Sequence, residues 1–449
     1  MEVEFLPNNS HLDSPGDFAK SDPHLRRMAQ NPYIFQSPII KQLPADIPGI
    51  YNLGGGRQIG KTTLLKQWML HLLATGVAPE AIVFLSCELI VDEQSLYRIV
   101  SQQLNTMPEQ GLLYLILDEI TYVANWDKAI KYLADTGLFD NVVVVISGSD
   151  LAMMQAARMR FPGRRGKADQ VDFHYYPLSF QQVLQLKGHF SGELPALTED
   201  FADILFTEFE NYLIHGGFLT AINEYATTAT ISQSTLATYS DWIRGDVIKH
   251  GKNEHYLREI LTAIIKHYSS QVSWRNLVGA LSIDHTQTAI DYVELLTSMD
   301  TVYVQAALIE DKLVAAPKKP RKFMFCDPFI LHAITAWLTP HKDPFAEHII
   351  PAVTESIQSA KLVEAIVVNH FQRHYPTYYI KAESEVDVAY VDNGKFWPIE
   401  VKWTKQLRPN DLKQISKYPN GKIWAKTKQA RELNDLPVIP LPYGLAELG

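Results

Sequence analysis

GGRQIGKTT, Gly55 to Thr63, sets Gly55, Gly60, Lys61 and Thr62 at the fixed positions of G-x-x-x-x-G-K-[ST]. Glycines there let the backbone N–H groups of Gly55, Gly56, Arg57, Gln58, Ile59 and Gly60 close around phosphate. A helix starting at Lys61, Thr62 and Thr63 adds its N-terminal dipole. Lys61 supplies a point charge to the β- and γ-phosphates of ATP, and the Thr62 hydroxyl can ligate Mg²⁺. LLYLILDE is an apolar strand ending in Asp118 and Glu119, so both acids reach the sheet edge where open α/β folds bind ligands. Asp118 is expected to hold Mg²⁺ through water and Glu119 to polarise the attacking water. In ISGSD, Ser147 or Ser149 either senses the γ-phosphate or caps the next helix. RMRFPGRRG clusters Arg158, Arg160, Arg164 and Arg165. Arg164 is the candidate finger for a neighbouring subunit's γ-phosphate, where it would stabilise transition-state charge.

A second concentration of chemistry lies in EVDVAYVDNGKFWPIEVKW, Glu385 to Trp403. Asn393-Gly394 is a strong two-residue hairpin signal. With that turn, Asp392 faces Lys395, Val391 faces Phe396, Ala389 faces Pro398 and Asp387 faces Glu400. Alternation then gathers Val386, Val388, Tyr390, Trp397, Ile399 and Val401 on one face. Glu385, Asp387, Glu400 and Lys402 collect at one end of the other, as a solvated surface or a site.

The elements that position these residues follow from pattern. IYNLGG, AIVFLSC, LLYLILDE and VVVVISGS alternate with helical segments, which predicts an α/β fold around a buried parallel sheet. Beyond about residue 190 helices dominate. REILTAIIKHY, SWRNLVGAL and HTQTAIDYVELLTSM precede two strands, TVYVQAAL and KFMFCD, in the order of a winged helix-turn-helix. HTQTAIDYVELLTSM carries Asp291 and Glu294 and no Lys or Arg, which makes it a poor groove reader. KKPRK is a candidate basic wing touching the backbone, with a protein–protein or interdomain role as the equal alternative. After TPHKDPFAEHIIP come a helix (ESIQSAKLVEAIVVNHF), a strand (TYYIKA), the hairpin, a helix (NDLKQISKY) and a strand (KIWAKT). Expected domains are a flexible arm at 1–30, an ATPase core at 31–190, a helical and winged-helix-like region at 191–340 and a last α/β domain at 341–449.

The 449 residues are 46% hydrophobic and 20% charged, typical of a soluble globular protein. No apolar run is long enough to span a membrane, and no membrane partner is expected. Two cysteines, Cys87 and Cys326, do not make a disulfide framework, so the expected compartment is the cytoplasm. The formal charge of -9 argues against coating nucleic acid over the whole surface. A local basic run does exist, from Lys402 to Arg431, with Asp411 its only acid.

DEITYVANW, ISGSD, YYPLSF, HGGF and KPRKFMFCDP together resemble the prokaryotic AAA-type ATPases that carry a C-terminal domain of unknown function. The likeness spans roughly residues 31 to 440. It implies an ASCE-type P-loop core, a winged-helix middle and a restriction-endonuclease-like end. GSD stands where the family has a serine-richer GSS. The order helix, three strands, helix, strand likewise resembles the core of the PD-(D/E)xK nuclease superfamily. That likeness makes Asp387, Glu400 and Lys402 the cleavage residues, with Glu400-Val401-Lys402 as E-x-K. Asp387 and Glu400 would hold Mg²⁺ or Mn²⁺, and Lys402 would orient the nucleophile or offset phosphate charge. Glu364, on the preceding helix, is the third acid some members place there, or one solvated acid of an amphipathic helix. Gln414 and Tyr418 match a Q-x-x-x-Y pattern found in some members. The expected function is an ATP-hydrolysing ATPase coupled to a metal-dependent nuclease-like domain acting on DNA or RNA, as a homo-oligomer or with a protein partner. The rival is an ATP-driven switch or protein-remodelling ATPase whose last domain only binds nucleic acid or protein.

Overall fold

A computed structural model of the chain describes residues 3–449 apart from 160, 162, 164, 165, 280, 405 and 409–411. They divide into two compact units, Met1–Tyr176 and Pro177–Gly449.

The first unit is built on five strands, β1 (Gly49–Gly54), β2 (Ile82–Ser86), β3 (Leu113–Asp118), β4 (Val142–Gly148) and β5 (Asp172–His174). They form one parallel sheet in the order β2-β3-β4-β1-β5. Every residue of β1 and β4 is buried, which is why these strands read as unbroken apolar runs. β4 lies between the phosphate-loop strand and the acid-bearing strand. The three-residue β5 is too short to leave a pattern in the sequence.

The N-terminal arm departs from expectation. Its polar composition predicts mobility, yet Phe5 and Phe18 are fully buried. The Asn9 side chain donates to Phe84 O at 2.7 Å and accepts from Phe84 N at 2.8 Å. His11 Nε2 lies 3.0 Å from Ile82 O. Ile82 and Phe84 sit on the edge strand β2, so these side chains occupy backbone groups that a bare edge leaves open. Lys66, wholly buried, pairs with Asp22 at 3.3 Å and lies 3.6 Å from the Phe84 ring centroid.

The second unit begins helical and includes Glu199–His215 and Gln233–Lys249. Helices Glu254–Lys266, Trp274–Val278 and Thr286–Ser298 follow. The expected strand TVYVQAAL is split into β6 (Val302–Gln305) and β7 (Leu308–Ile309). β7 pairs with β8 (Val314–Ala315), and β6 pairs antiparallel with β9 (Lys322–Phe325), setting Gln305 opposite Lys322. Helix Ser356–Gln372 then leads to β10 (Thr377–Lys381), β11 (Glu385–Asp392), β12 (Lys395–Lys402), β13 (Lys422–Ala425), β14 (Arg431–Leu433) and β15 (Leu436–Pro440). These six form one sheet, in the order β10-β11-β12-β13-β15-β14. Of the helix expected over NDLKQISKY, the described residues show 3-10 conformation at Leu412 and over Ile415–Lys417.

The hairpin keeps the expected register from Asp392–Lys395 to Val388–Ile399. The simple alternation fails on the other side of β11. Against β10, Tyr378 pairs with Ala389 but Ile380 pairs with Val386. Three steps of β11 therefore match two of β10, which is a β-bulge. It turns Val386 into the apolar cluster of Ala389, Val391 and Phe396, not onto the face of Val388 and Tyr390.

Two sequence signatures of this unit prove to be one contact. The Asp327 carboxylate accepts from Gly217 N and from Phe329 N, each at 2.8 Å. Gly216 has φ +58, and a Cβ there would lie 1.8 Å from Asp327 Oδ1. HGGF and CDP are thus locked together, and burial raises the Asp327 carboxyl to about 7. Gly216→Ala is expected to destabilise this unit by more than about 3 kcal/mol, read as a shift of the denaturant midpoint. A shift within experimental error would mean that the loop has room the geometry denies.

Candidate functional site

The phosphate loop joins β1 to helix Lys61–Ala74. Gly55 has φ +155 and Gly60 φ +96. A Cβ at Gly55 would meet Tyr175 O at 2.4 Å and Ile59 Cδ1 at 2.6 Å, so only glycine lets the loop fold this tightly. Gln58 also takes a left-handed conformation, φ 59. Lys61 is buried, and its Nζ donates to Gly55 O at 3.0 Å and Gly56 O at 2.9 Å. It also stands 3.4 Å from Glu119 Oε1. Thr62 Oγ1 donates to Asp118 Oδ2 at 2.7 Å. Thr63 follows in the first helical turn.

β3 and β4 end side by side at this loop. Ser147 donates to Asp118 Oδ1 and accepts from Glu119 N at 3.0 Å. Ser149 donates to Glu119 Oε2 at 3.1 Å. Neither serine caps the next helix. Asp150 takes that place, accepting from Met153 N at 2.9 Å, which gives GSD a local reason for its aspartate. Burial, with help from Glu119, lifts the Asp118 carboxyl above its usual range. Hydrogen bonds from Ser147 and Thr62 and the Lys61 charge hold it back. Glu119 itself has φ 53, a rare conformation for its type. Arg57 Nη2 donates to the Tyr122 hydroxyl at 2.6 Å. A hydroxyl and a carboxylate beside an ammonium are the hard-oxygen and cationic groups that Mg²⁺ and polyphosphate require. Arg164, Arg160 and Arg165 lie outside the described residues.

The acidic site of the second unit draws on more elements than the hairpin. Glu364 from helix Ser356–Gln372 and Glu385 and Asp387 from β11 bring carboxylate oxygens within 4.8 Å of one another. Asp387 Oδ2 accepts from Val401 N at 2.9 Å, which ties it to the neighbouring strand. Glu400 is buried and pairs with Lys402 at 2.5 Å, while its Oε2 has no hydrogen-bond partner among the described residues. Burial, then the Asp387 charge, raises the Glu400 carboxyl well above its ordinary range. The compact group that could hold a cation is therefore Glu364, Glu385 and Asp387, with Glu400 and Lys402 beside it. Gln414 Nε2 lies 3.3 Å from the Tyr418 hydroxyl without the expected helix.

The residue that sequence reasoning missed is Lys322, the last of KKPRK. It does not extend as a basic wing but is wholly buried, 2.7 Å from Glu364, in contact with Glu385 and 3.8 Å from Asp387. Burial works against its charge, but the three carboxylates outweigh that and hold the ammonium well above its usual range. Burial and Asp387 in turn raise Glu364, since three acids share one close cation. The one available signal was a lysine opening an otherwise apolar strand, KFMF. The basic run is likewise partly matched by acids. Lys413 and Lys417 share Glu383, Lys426 pairs with Glu210, and Lys428 with Asp203. Such exposed pairs are weak and leave those lysines exchangeable.

Residues 48–184 match a family described as an AAA domain. Residues 206–341 and 359–443 match two domains of unknown function, DUF8612 and DUF4143. An uncharacterized protein of Haemophilus influenzae is 24% identical over 263 residues, 56% of this chain and 60% of that protein. An uncharacterized protein of Methanocaldococcus jannaschii is 26% identical over 258 residues, 55% of this chain and 53% of that one. The chain thus spans less than two thirds of these relatives' length. Among solved structures, a Walker-type ATPase of Pyrococcus abyssi overlays with a TM-score of 0.41 at 14% identity, covering 64% of this chain and 90% of that one. No helix among the described residues is long and apolar enough to cross a membrane. With its phosphate loop, paired acids and strand order, the segment 48–184 has a parallel-sheet P-loop NTPase fold and is similar to the AAA domain family.

Proposed function

We propose that the chain hydrolyses ATP in its first unit and carries in its second a metal-dependent nuclease-like site that acts on nucleic acid. The observation that carries the first half is the Thr62–Asp118 contact at 2.7 Å, flanked by Lys61 and Glu119. The backbone from Gly55 to Gly60 would cradle the phosphates, with Lys61 on the β- and γ-phosphates. Thr62 and Asp118 would hold Mg²⁺, which neutralises charge on the phosphates when bound. Glu119 would orient and polarise the attacking water. Ser147 acts by fixing Asp118 and the Glu119 backbone. Arg164 is assigned to a neighbouring active site on its sequence alone.

The second half rests on the convergence of Glu364, Glu385 and Asp387 beside Glu400 and Lys402. Hard oxygens at this spacing suit Mg²⁺ or Mn²⁺, which would lower the pKa of a bound water. Lys402 would face the scissile phosphate. The three helices and the β6–β9 pair support a winged-helix reading of the middle region. Its contribution of Gln305 and Lys322 favours a role in building this site over one in reading a groove. A second reading, an ATP switch whose last domain only binds, is favoured by Lys322 already standing among the acids.

The test is cleavage of single- and double-stranded DNA and RNA with Mg²⁺ or Mn²⁺, with and without ATP. Metal-dependent cleavage absent in Lys402→Ala is the expected result, and Lys61→Ala reports whether ATP governs it. ATP turnover with no cleavage of any substrate would hand the second unit to the binding-only reading.

A further inference from the structure

We infer that Lys322 is a resident cation that closes the acidic site, so that its ammonium and a divalent ion compete for the same three carboxylates. The inference rests on the nuclease-like reading for its meaning but on Lys322 for its geometry. Lys322 comes from outside the sheet that carries the acids. It opens β9, directly across from Gln305 on β6, and cross-strand partners share a face. Both side chains are wholly buried. Gln305 Nε2 donates to Asp387 O at 2.9 Å, and Gln271 Nε2 donates to Glu385. The β6–β9 pair is therefore clamped onto the start of β11, and it carries the lysine with it.

Two observations say that this ammonium stands where an ion would. The first is room. The three carboxylate oxygens lie within 4.8 Å of one another, and a hard divalent ion takes oxygens at roughly 2.0–2.6 Å. An Nζ 2.7 Å from Glu364 and 3.8 Å from Asp387 occupies that volume and repels a second cation. The second is the leftover ligand. Glu400 is buried, its Oε2 is without a partner among the described residues, and Asp387 is the neighbouring charge that bears on it most. Four carboxyl groups, Glu364, Glu385, Asp387 and Glu400, face two ammoniums, Lys322 and Lys402. The site holds more oxygen ligands than one lysine satisfies, and that surplus is the drive for a divalent ion to enter once Lys322 withdraws. A shift of the β6–β9 pair away from β11 would open the site without any change in the acids.

Mn²⁺ titration followed by electron paramagnetic resonance, on the full chain, tests this directly. Lys322→Met removes the charge and keeps much of the bulk, whereas Lys322→Arg keeps the charge. Lys322→Met is expected to bind Mn²⁺ at least ~10-fold more tightly than the parent protein, and Lys322→Arg no more tightly than the parent. In thermal melts Lys322→Met should be the less stable form without metal and should recover on adding Mn²⁺. Should that variant fold poorly, Lys322→Met/Glu364→Gln is compared with Glu364→Gln, and the same gain is expected. Equal Mn²⁺ affinity with and without Lys322, or none in Lys322→Met, would overturn the competition. Nucleic-acid cleavage by the same proteins separates the two ideas. Tighter Mn²⁺ binding without cleavage leaves the competition standing and removes the nuclease reading. Cleavage with unchanged affinity does the reverse.

Discussion

Lys61→Ala is expected to lower ATP turnover by at least about 10²–10³-fold, the usual effect of deleting one preorganised donor from a charged transition state. The size follows from how the lysine is held. Its Nζ is fixed by Gly55 O and Gly56 O and lies 3.4 Å from Glu119, so little reorganisation separates its resting place from a phosphate in the loop. Burial removes the water that would otherwise screen its charge. Phosphate release and binding of a fluorescent nucleotide should both fall in Lys61→Ala. In Glu119→Gln only hydrolysis should fall, because the amide still fills the space but does not polarise water. Normal turnover in Lys61→Ala would place nucleotide chemistry elsewhere in the chain.

Glu400→Gln should have opposite effects on activity and on stability. Cleavage is expected to drop by at least about 10²-fold, because a metal loses a charged ligand or neighbour. The metal-free protein is expected to gain roughly 1–2 kcal/mol at neutral pH, since burial holds the Glu400 carboxyl well above its ordinary range and the fold loses stability by protonating a group that is ionised when unfolded, a cost the amide does not carry. The Lys402 contact at 2.5 Å survives, because the amide oxygen still accepts. Denaturant melts in chelator, paired with the cleavage assay, read both effects. Loss of stability together with loss of cleavage would make Glu400 a structural partner of Lys402 and nothing more. Functional sites commonly hold such groups at a cost to the fold.

The phosphate site was legible almost whole because its residues act through local rules. G-x-x-x-x-G-K-T needs a strand before and a helix after, and both are visible as hydrophobic period. Asp118 and Glu119 end a strand whose apolarity announces burial. Ser147 and Ser149 stayed ambiguous, since capping and contact with an acid use the same hydroxyl. Asp150 settled the cap through one hydrogen bond to Met153 N. The N-terminal arm misled because its few anchors, Phe5, Asn9, His11 and Phe18, are scattered among polar residues, and only the edge of β2 shows what they fit.

The hairpin register of β11 and β12 came from the sequence alone, because the Asn393-Gly394 turn admits one pairing that keeps apolar residues together. The bulge that reverses Val386 did not, since it is imposed by β10 from the other side. Sequence by itself determined the parallel sheet, the phosphate loop and the hairpin register from Asp392–Lys395 to Val388–Ile399, all of which depend on neighbours in the chain or one turn away. Tertiary structure alone decided that Glu385 joins Glu364 and Asp387, and that Lys322 comes from a distant strand to lie among them. Long-range electrostatic pairing leaves no period in a sequence, because a buried charge is defined by what surrounds it.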